Sequence, residues 1–495
     1  MAKLGRVFTS LAIGGGLALA GCSRPEPVDP PEPAGAYQPN WGSLAQHESP
    51  AWFNDAKLGI FIHWGVYSVP GWAPMEGQYG ELTREQFFKV NPYAEWYMNS
   101  MRIPGSPTQE HHLKEYGEEA GYVDFLPVFN EEVQKWKPAE WGELFAAAGA
   151  RYVVLTTKHH DGFTLWPSSI ANPNRPADQQ GARRDLVGEL SEAVRGHGMR
   201  MGLYYSGGID WSFNDTLIDR PGILRTTAVP RSEEYARYVD AHWRELIDRY
   251  EPDILWNDIT YPENANLPAL LADYYNRFPE GAVNNRWGVR RSEDGPEDSD
   301  WVEFADFFTP EYAKLDEISE AKWEACRGIG YSFGYNRNET DAQMISVDDL
   351  VDLLVDIVSK NGNLLLNVGP MADGTIPAGQ VERLRGLGDW LAVNGEAIYG
   401  STPWSRASGE TAGGVSVRFT QKGDEVFAVL LDTPANPRIE IRSLPLAPGS
   451  QVWLLGVEGE LELEWSQAGE NVVIQLPAEL PEAPAHTVKI TPPPA

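Results

Sequence analysis

Between about residues 41 and 400, short apolar runs alternate with amphipathic stretches, and that alternation restricts the fold more than any other feature. The strand candidates are residues 59–63, 152–157, 201–206, 254–258, 282–286, 306–309, 331–335 and 363–368. Several are apolar almost throughout, as strands buried on both faces of a parallel sheet must be. Between them, residues 232–250 bring Tyr235, Tyr238, Val239, Trp243, Leu246 and Ile247 round at helical spacing. Residues 346–360 do the same with Val347, Leu350, Val351, Leu354, Ile357 and Val358; Ser346 with Asp349 offers a capping-box-like start, and Asn361-Gly362 a stop. About eight such units with right-handed crossovers predict an α/β fold, a (β/α)8-like barrel of the TIM type. The interval between Ala282 and Tyr331 is too short for full helices, so the barrel is expected to be irregular there.

After Thr402 the pattern changes. Val415-Ser416-Val417-Arg418-Phe419, Arg438-Ile439-Glu440-Ile441 and Val488-Lys489-Ile490 alternate, and residues 426–431 and 452–455 are apolar runs between turn signals. Short strands at this spacing predict a C-terminal antiparallel β-sandwich. The expected division is therefore a leader over 1–21, a proline- and acid-rich tether over 22–40, the barrel over 41–400 and the sandwich over 401–495.

The leader has Lys3 and Arg6 ahead of an apolar, glycine-rich run at 11–20 that ends in Leu19-Ala20-Gly21-Cys22. This resembles a bacterial lipoprotein signal with lipid on Cys22, so the expected location is export and a lipid anchor in a bacterial outer membrane. The other cysteine, Cys326, then has no disulfide partner and reads as a small buried hydrophobe. Asp and Glu outnumber Lys and Arg 71 to 40, a formal charge of −31. Such a surface repels phosphate backbones, which argues against a nucleic-acid partner and favours a neutral substrate. The 18 tryptophans supply core area and platforms on which a sugar face can stack.

In a parallel barrel, chemistry collects where the strands end. Polar groups recur there: His63, the run Lys158-His159-His160-Asp161, Tyr204-Tyr205-Ser206, Asp258, Asn284-Asn285-Arg286-Trp287 and Glu311. Two carboxyl groups can share the cleavage of a glycosidic bond, one attacking the anomeric carbon and the other moving the proton. Asp258 is the expected nucleophile and Glu311 the expected acid/base, with Glu303 and Glu95 as competitors. Adjacent histidines on a strand usually face opposite sides, so one of His159 and His160 could be structural. No HExxH helix accompanies them, and neither a metal nor an organic cofactor is expected.

Five ordered segments carry a resemblance: 52–65, Thr157-Lys158-His159-His160-Asp161-Gly162-Phe163, Leu255-Trp256-Asn257-Asp258, Asn285-Arg286-Trp287-Gly288 and Gly330-Tyr331-Ser332-Phe333-Gly334-Tyr335-Asn336. Together they resemble the α-L-fucosidases of glycoside hydrolase family 29. The resemblance implies a retaining exo-hydrolase acting on fucosylated oligosaccharides or glycoconjugates, with Asp258 as nucleophile and Glu311 as acid/base. It implies a sugar pocket of His63, Glu95, Trp96, His159, His160, Trp256 and Arg286, with one strand-end tyrosine, Tyr205 in preference to Tyr204. Alternative readings are a related retaining glycosidase with shifted specificity, for example toward α-L-galactosides, and a non-catalytic carbohydrate-binding lipoprotein.

Overall fold

The computed structural model describes residues 36–288, 305–457 and 461–492. Cys22 and Glu303 lie outside the described residues, so the leader and one candidate acid receive no structural account.

Seven parallel strands form a curled sheet: β1 (Leu58–Ile62), β2 (Tyr152–Lys158), β3 (Arg200–Ser206), β4 (Ile254–Asp258), β5 (Ala282–Val283), β6 (Trp323–Gly328) and β7 (Gly362–Val368), in the order β5-β4-β3-β2-β1-β7-β6. Residues 306–309 fill the gap between β5 and β6 through the parallel bridges Asn284↔Phe307 and Phe308↔Trp323. The backbone bonds from Asp306 N–H to Val283 O and from Glu324 N–H to Phe308 O, both 2.9 Å, carry this eighth position. Among the described residues, this eighth position is thus held by isolated bridges and not by a full strand.

Alternation along each strand makes two apolar layers. Phe61, Tyr152, Val154, Tyr204, Ile254, Trp256, Cys326 and Leu365 pack together inside the barrel. Leu58, Ile60, Ile62, Val153, Leu155, Leu203, Tyr205 and Leu255 face outward into the layer shared with the helices. Gly59 is required by this packing, because a Cβ there would lie 2.3 Å from the Tyr152 ring that crosses the barrel interior.

The two helices read from periodicity are Glu233–Tyr250 and Val347–Ser359. Ser232 and Ser346 cap them by accepting the N–H groups of Tyr235 and Asp349, each at 3.1 Å. Their apolar faces, led by Trp243 and Leu354, join the outer core, where each buried aliphatic side chain contributes roughly 1.5–3 kcal/mol.

The C-terminal region is antiparallel. It comprises β8 (Thr402–Glu410), β9 (Ser416–Lys422), β10 (Glu425–Leu430), β11 (Arg438–Ile441), β12 (Gln451–Leu454), β13 (Leu461–Glu462), β14 (Glu464–Ala468), β15 (Asn471–Gln475) and β16 (His486–Thr491). These form a six-stranded sheet, β13-β12-β16-β10-β9-β8, and a three-stranded one, β11-β15-β14. Val417, Phe419, Val452, Ile441 and Ile474 fill a core shared by the two sheets.

One strand expectation is corrected. Residues 331–335 are not a strand, and the sixth strand is Trp323–Gly328. The sequence Trp-Glu-Ala-Cys-Arg-Gly hides it, because Glu324 and Arg327 interrupt the apolar run. Glu324 is nevertheless fully buried inside the barrel, where side-chain partners satisfy both its oxygens.

Candidate active site

Asp258 ends β4 and lies at the centre of the polar groups on the barrel's carboxyl face. Its Oδ2 accepts the Tyr204 hydroxyl at 2.8 Å, and its Oδ1 accepts Arg286 Nη1 at 2.9 Å. Burial alone would raise its pKa. The Arg286 guanidinium and the hydrogen bonds from Tyr204 and Arg286 outweigh burial and hold the carboxyl below its ordinary value, so it is ionised. The chain then turns sharply: Thr260 N–H bonds back to Asp258 O at 2.9 Å across Ile259, a β-branched residue at φ 70°. That is a γ-turn of the rare, strained kind.

Arg286 follows β5 and is fully engaged. Nη1 also donates to Glu311 Oε1 at 3.1 Å, Nε donates to Thr309 Oγ1 and Nη2 to Thr309 O, both at 2.8 Å. Its guanidinium lies over the Trp256 ring, 4.8 Å from the centroid. Because Asp258 and Glu311 share one guanidinium nitrogen, their nearest oxygens are within about 6 Å of each other. They are not equally enclosed: the Asp258 side chain is 11% exposed and that of Glu311 26%.

The histidines cluster beside this pair, and their neighbours set their tautomers. Asn367, on β7, donates from Nδ2 to Phe333 O at 2.7 Å, which aims its Oδ1 at His63 Nδ1, also 2.7 Å away. His63 therefore carries its proton on Nδ1 and keeps a lone pair on Nε2. Ser206 donates to Ile209 O at 2.7 Å, so its Oγ receives His160 Nδ1–H at 2.7 Å, and His160 is the same tautomer. Burial lowers His63 to about 3 and His160 to about 4, and both rings are neutral.

His159 and His160 do not diverge as adjacent strand residues would. Their ring centroids are 4.0 Å apart, because β2 ends at Lys158 after a register shift and the alternation stops before them. The His159 ring also stacks on Tyr204 at 5.8 Å and lies 5.6 Å from His63.

The choice between the two tyrosines is corrected. Tyr205 faces away from Asp258: its hydroxyl meets His242 Nδ1 at 3.0 Å, and Lys158 Nζ lies 4.5 Å over its ring. Tyr204 pairs with Trp256 in the parallel register and shares its inward face, while Tyr205 joins the outer core.

Glu95 and Trp96 come from a short 3-10 turn, Ala94–Trp96. Trp96 sets its ring edge-on to His160 at 5.3 Å. Glu95 accepts Gly334 N–H at 2.7 Å and the Ser332 hydroxyl at 3.3 Å. Burial outweighs these bonds and pushes its carboxyl up to about 7. Phe333, between those two partners, packs on His63 with centroids 4.9 Å apart. It belongs to the segment expected as a strand, and as a bend it brings its ring to the histidines. Sequence reasoning assigned no role to Phe333, Asn367, Ser206 or Glu324.

Glu324 underpins the group. Its Oε2 bonds the Tyr152 hydroxyl and its Oε1 accepts Trp256 Nε1 at 2.9 Å, fixing the ring on which Arg286 lies. Burial raises this carboxyl to about 7. Between about pH 4.5 and 7 the folded chain therefore keeps a proton that the unfolded chain releases, and wild-type stability falls as pH rises through that window. The neutral, near-isosteric Glu324→Gln lacks that linkage. Its stability relative to wild type should rise by about 3 kcal/mol from pH 4.5 to 7, measured by chemical denaturation. A difference that does not change with pH would mean the carboxyl is already ionised in the fold.

Among the described residues, no group of three or more His, Cys, Asp or Glu side chains is arranged to hold a metal ion. An ionised carboxylate and a second, more open one on a common guanidinium, facing neutral imidazoles and indoles at the mouth of a parallel barrel, define a glycoside hydrolase. Comparison with known proteins makes the class specific. The α-L-fucosidase family model matches residues 28–396, the α-L-fucosidase C-terminal domain model matches 413–491, and the chain belongs to this family. It is 36% identical to the tissue α-L-fucosidase of Bos taurus over 490 residues, covering 96% of this chain and 95% of that one. To the tissue α-L-fucosidase of Homo sapiens it is 35% identical over 482 residues, 94% of each chain. The Thermotoga maritima α-fucosidase crystallised with a mechanism-based inhibitor superposes with a TM-score of 0.82 at 46% identity, covering 92% of this chain and all of that one. The protein is accordingly an enzyme, an α-L-fucosidase.

The expected location is overturned by the same comparison. Curated relatives that match nearly the whole chain include the tissue α-L-fucosidases of Bos taurus, Homo sapiens and Mus musculus, which are not bacterial outer-membrane lipoproteins. Among the described residues, no helix is long and apolar enough to cross a membrane.

Proposed function

We propose that the enzyme removes terminal α-L-fucosyl residues from oligosaccharides or glycoconjugates by double displacement, with Asp258 as nucleophile and Glu311 as acid/base. In the first step an Asp258 oxygen bonds to the anomeric carbon, the glycosidic bond breaks, and the departing oxygen takes the proton of Glu311. In the second, Glu311 takes a proton from water, the water oxygen bonds to the same carbon, and Asp258 leaves as carboxylate.

The observation that carries this reading is the shared Arg286 nitrogen, with both carboxyl groups within about 6 Å. Retaining glycosidases place them roughly 5–5.5 Å apart; inverting ones leave more space for a water molecule. The neutral rings of His63 and His160 offer lone pairs to ring hydroxyls, and Phe333 offers an apolar surface to the C6 methyl. Glu95, with its raised pKa, is assigned to a sugar hydroxyl, because its hydrogen bonds go to Ser332 and Gly334 in the 332–334 bend and not to Arg286.

The test is the stereochemistry of azide rescue. Asp258→Gly should yield β-fucosyl azide and Glu311→Gly α-fucosyl azide. No rescue in either variant, the opposite pairing, or rescue of Glu95→Gly in place of Glu311→Gly would overturn the assignment.

Arg286→Ala should lower kcat/KM on aryl fucosides roughly 10- to 150-fold, the equivalent of one or two charge-assisted hydrogen bonds. The sign of its pH effect follows from Asp258. Without the guanidinium, burial dominates and the Asp258 pKa rises, so the acid limb of the kcat/KM profile moves to higher pH. A pH–rate profile that keeps its acid limb in place would separate Arg286 from the ionisation of Asp258.

A further inference from the structure

A run of aromatic rings leads from the histidine cluster, through Tyr312 next to Glu311 in the chain, to the surface. Phe333, beside His63, lies 5.7 Å from Tyr312 and 5.3 Å from Tyr93. Tyr79 comes next, 6.1 Å from Tyr312, with its ring nearly parallel to that of Tyr93 at 6.3 Å and edge-on to Phe87 at 5.6 Å. Tyr79 is a large apolar side chain with 42% of its surface exposed. Isolated exposed rings need no explanation, but one continuous with an active-site wall does.

Two details show that this wall is held in place. Tyr312 directly follows Glu311 and has φ 50°, a left-handed conformation that is uncommon for a bulky residue. Its hydroxyl accepts Gly328 N–H at 3.1 Å and points at the carbonyls of Gly330 and Tyr331, while the Arg327 guanidinium covers its ring at 5.2 Å. The Tyr93 hydroxyl is buried and, among the described residues, has no hydrogen-bond partner. Burial, and then the charge of nearby Glu311, keep it protonated, so the wall holds an unused donor close to the acid.

We propose that Tyr79, Tyr312 and Tyr93 form the acceptor-side subsite, which receives the sugar that leaves with the glycosidic oxygen. This rests on Glu311 being the acid. A carboxyl that protonates that oxygen touches it, so the next pyranose lies within one ring's width of Glu311, where these tyrosines stand. The chemistry fits a neutral hexopyranose. Its apolar C–H face stacks on Tyr79 and Tyr312, one of its oxygens can accept the Tyr93 hydroxyl, and the acidic surface disfavours an anionic leaving group.

The experiment compares a fucosyl-galactose disaccharide with α-L-fucosyl fluoride, whose leaving group has no ring and needs no acid. In Tyr79→Ala, kcat/KM on the disaccharide should fall three- to tenfold. The fluoride rate and the Ki of free fucose should change less than twofold, and Tyr79→Phe should restore the disaccharide rate. An unchanged disaccharide rate, or an equal fall on the fluoride, overturns the proposal. A wrong assignment of Glu311 shows itself separately, as absence of azide rescue in Glu311→Gly whatever Tyr79 does.

Discussion

Asp258→Gly should lose at least about a thousandfold in kcat/KM on aryl α-L-fucosides, because the proposed covalent route disappears with the carboxylate. The fold should survive: the side chain is at the barrel mouth, and Tyr204 and Arg286 keep their other contacts. Azide is the informative addition. The space vacated by the carboxylate still faces the Tyr204 hydroxyl and Arg286 Nη1, which held Oδ2 and Oδ1, so a small anion finds a donor and a countercharge there. On the proposed assignment azide should attack from that side while Glu311 protonates the departing oxygen, giving β-fucosyl azide. Wild-type-like rates in the variant, or an α-azide, would remove Asp258 from the nucleophile's role.

Glu311→Gly divides substrates by their leaving group. Oligosaccharides, whose departing alkoxide needs a proton, should slow by roughly 10²–10⁴. Aryl fucosides with a nitrophenol leaving group form the Asp258 ester with little help, and water then attacks slowly for want of a base. Azide needs no deprotonation. It should accelerate that second step and give the α-azide, with the configuration of the substrate. Equal losses on both substrate types, without rescue, would mean that Glu311 acts through Arg286 and not on protons.

What the sequence revealed and what it hid have physical reasons. Asp258, His63 and Arg286 were legible because apolar runs end at or beside them, and run ends are where a parallel barrel places its chemistry. Tyr204 and Tyr205 could not be separated in that way, since both are large and both end up buried. Only the register with Trp256 decides which faces inward, and register is a property of the paired strands. Glu324 was hidden because a charged residue breaks an apolar run, although two donors make its burial tolerable. Asn367 did leave a signal, being a polar residue near the end of a mostly apolar strand. The histidine pair escapes alternation because β2 ends just before it: alternation governs a strand only up to its last residue.

The positive φ values at Ile259 and Tyr312 have a bearing on engineering. Each sits immediately after one of the paired acids, and each such step carries strain on the order of 1–3 kcal/mol. A consensus-minded protein engineer would replace them with glycine to gain heat resistance, and would loosen the two joints that aim the carboxyl groups. Thermal hardening of this scaffold is better sought on its outer helices and its C-terminal sheets, where rigidity and turnover do not compete for the same residues.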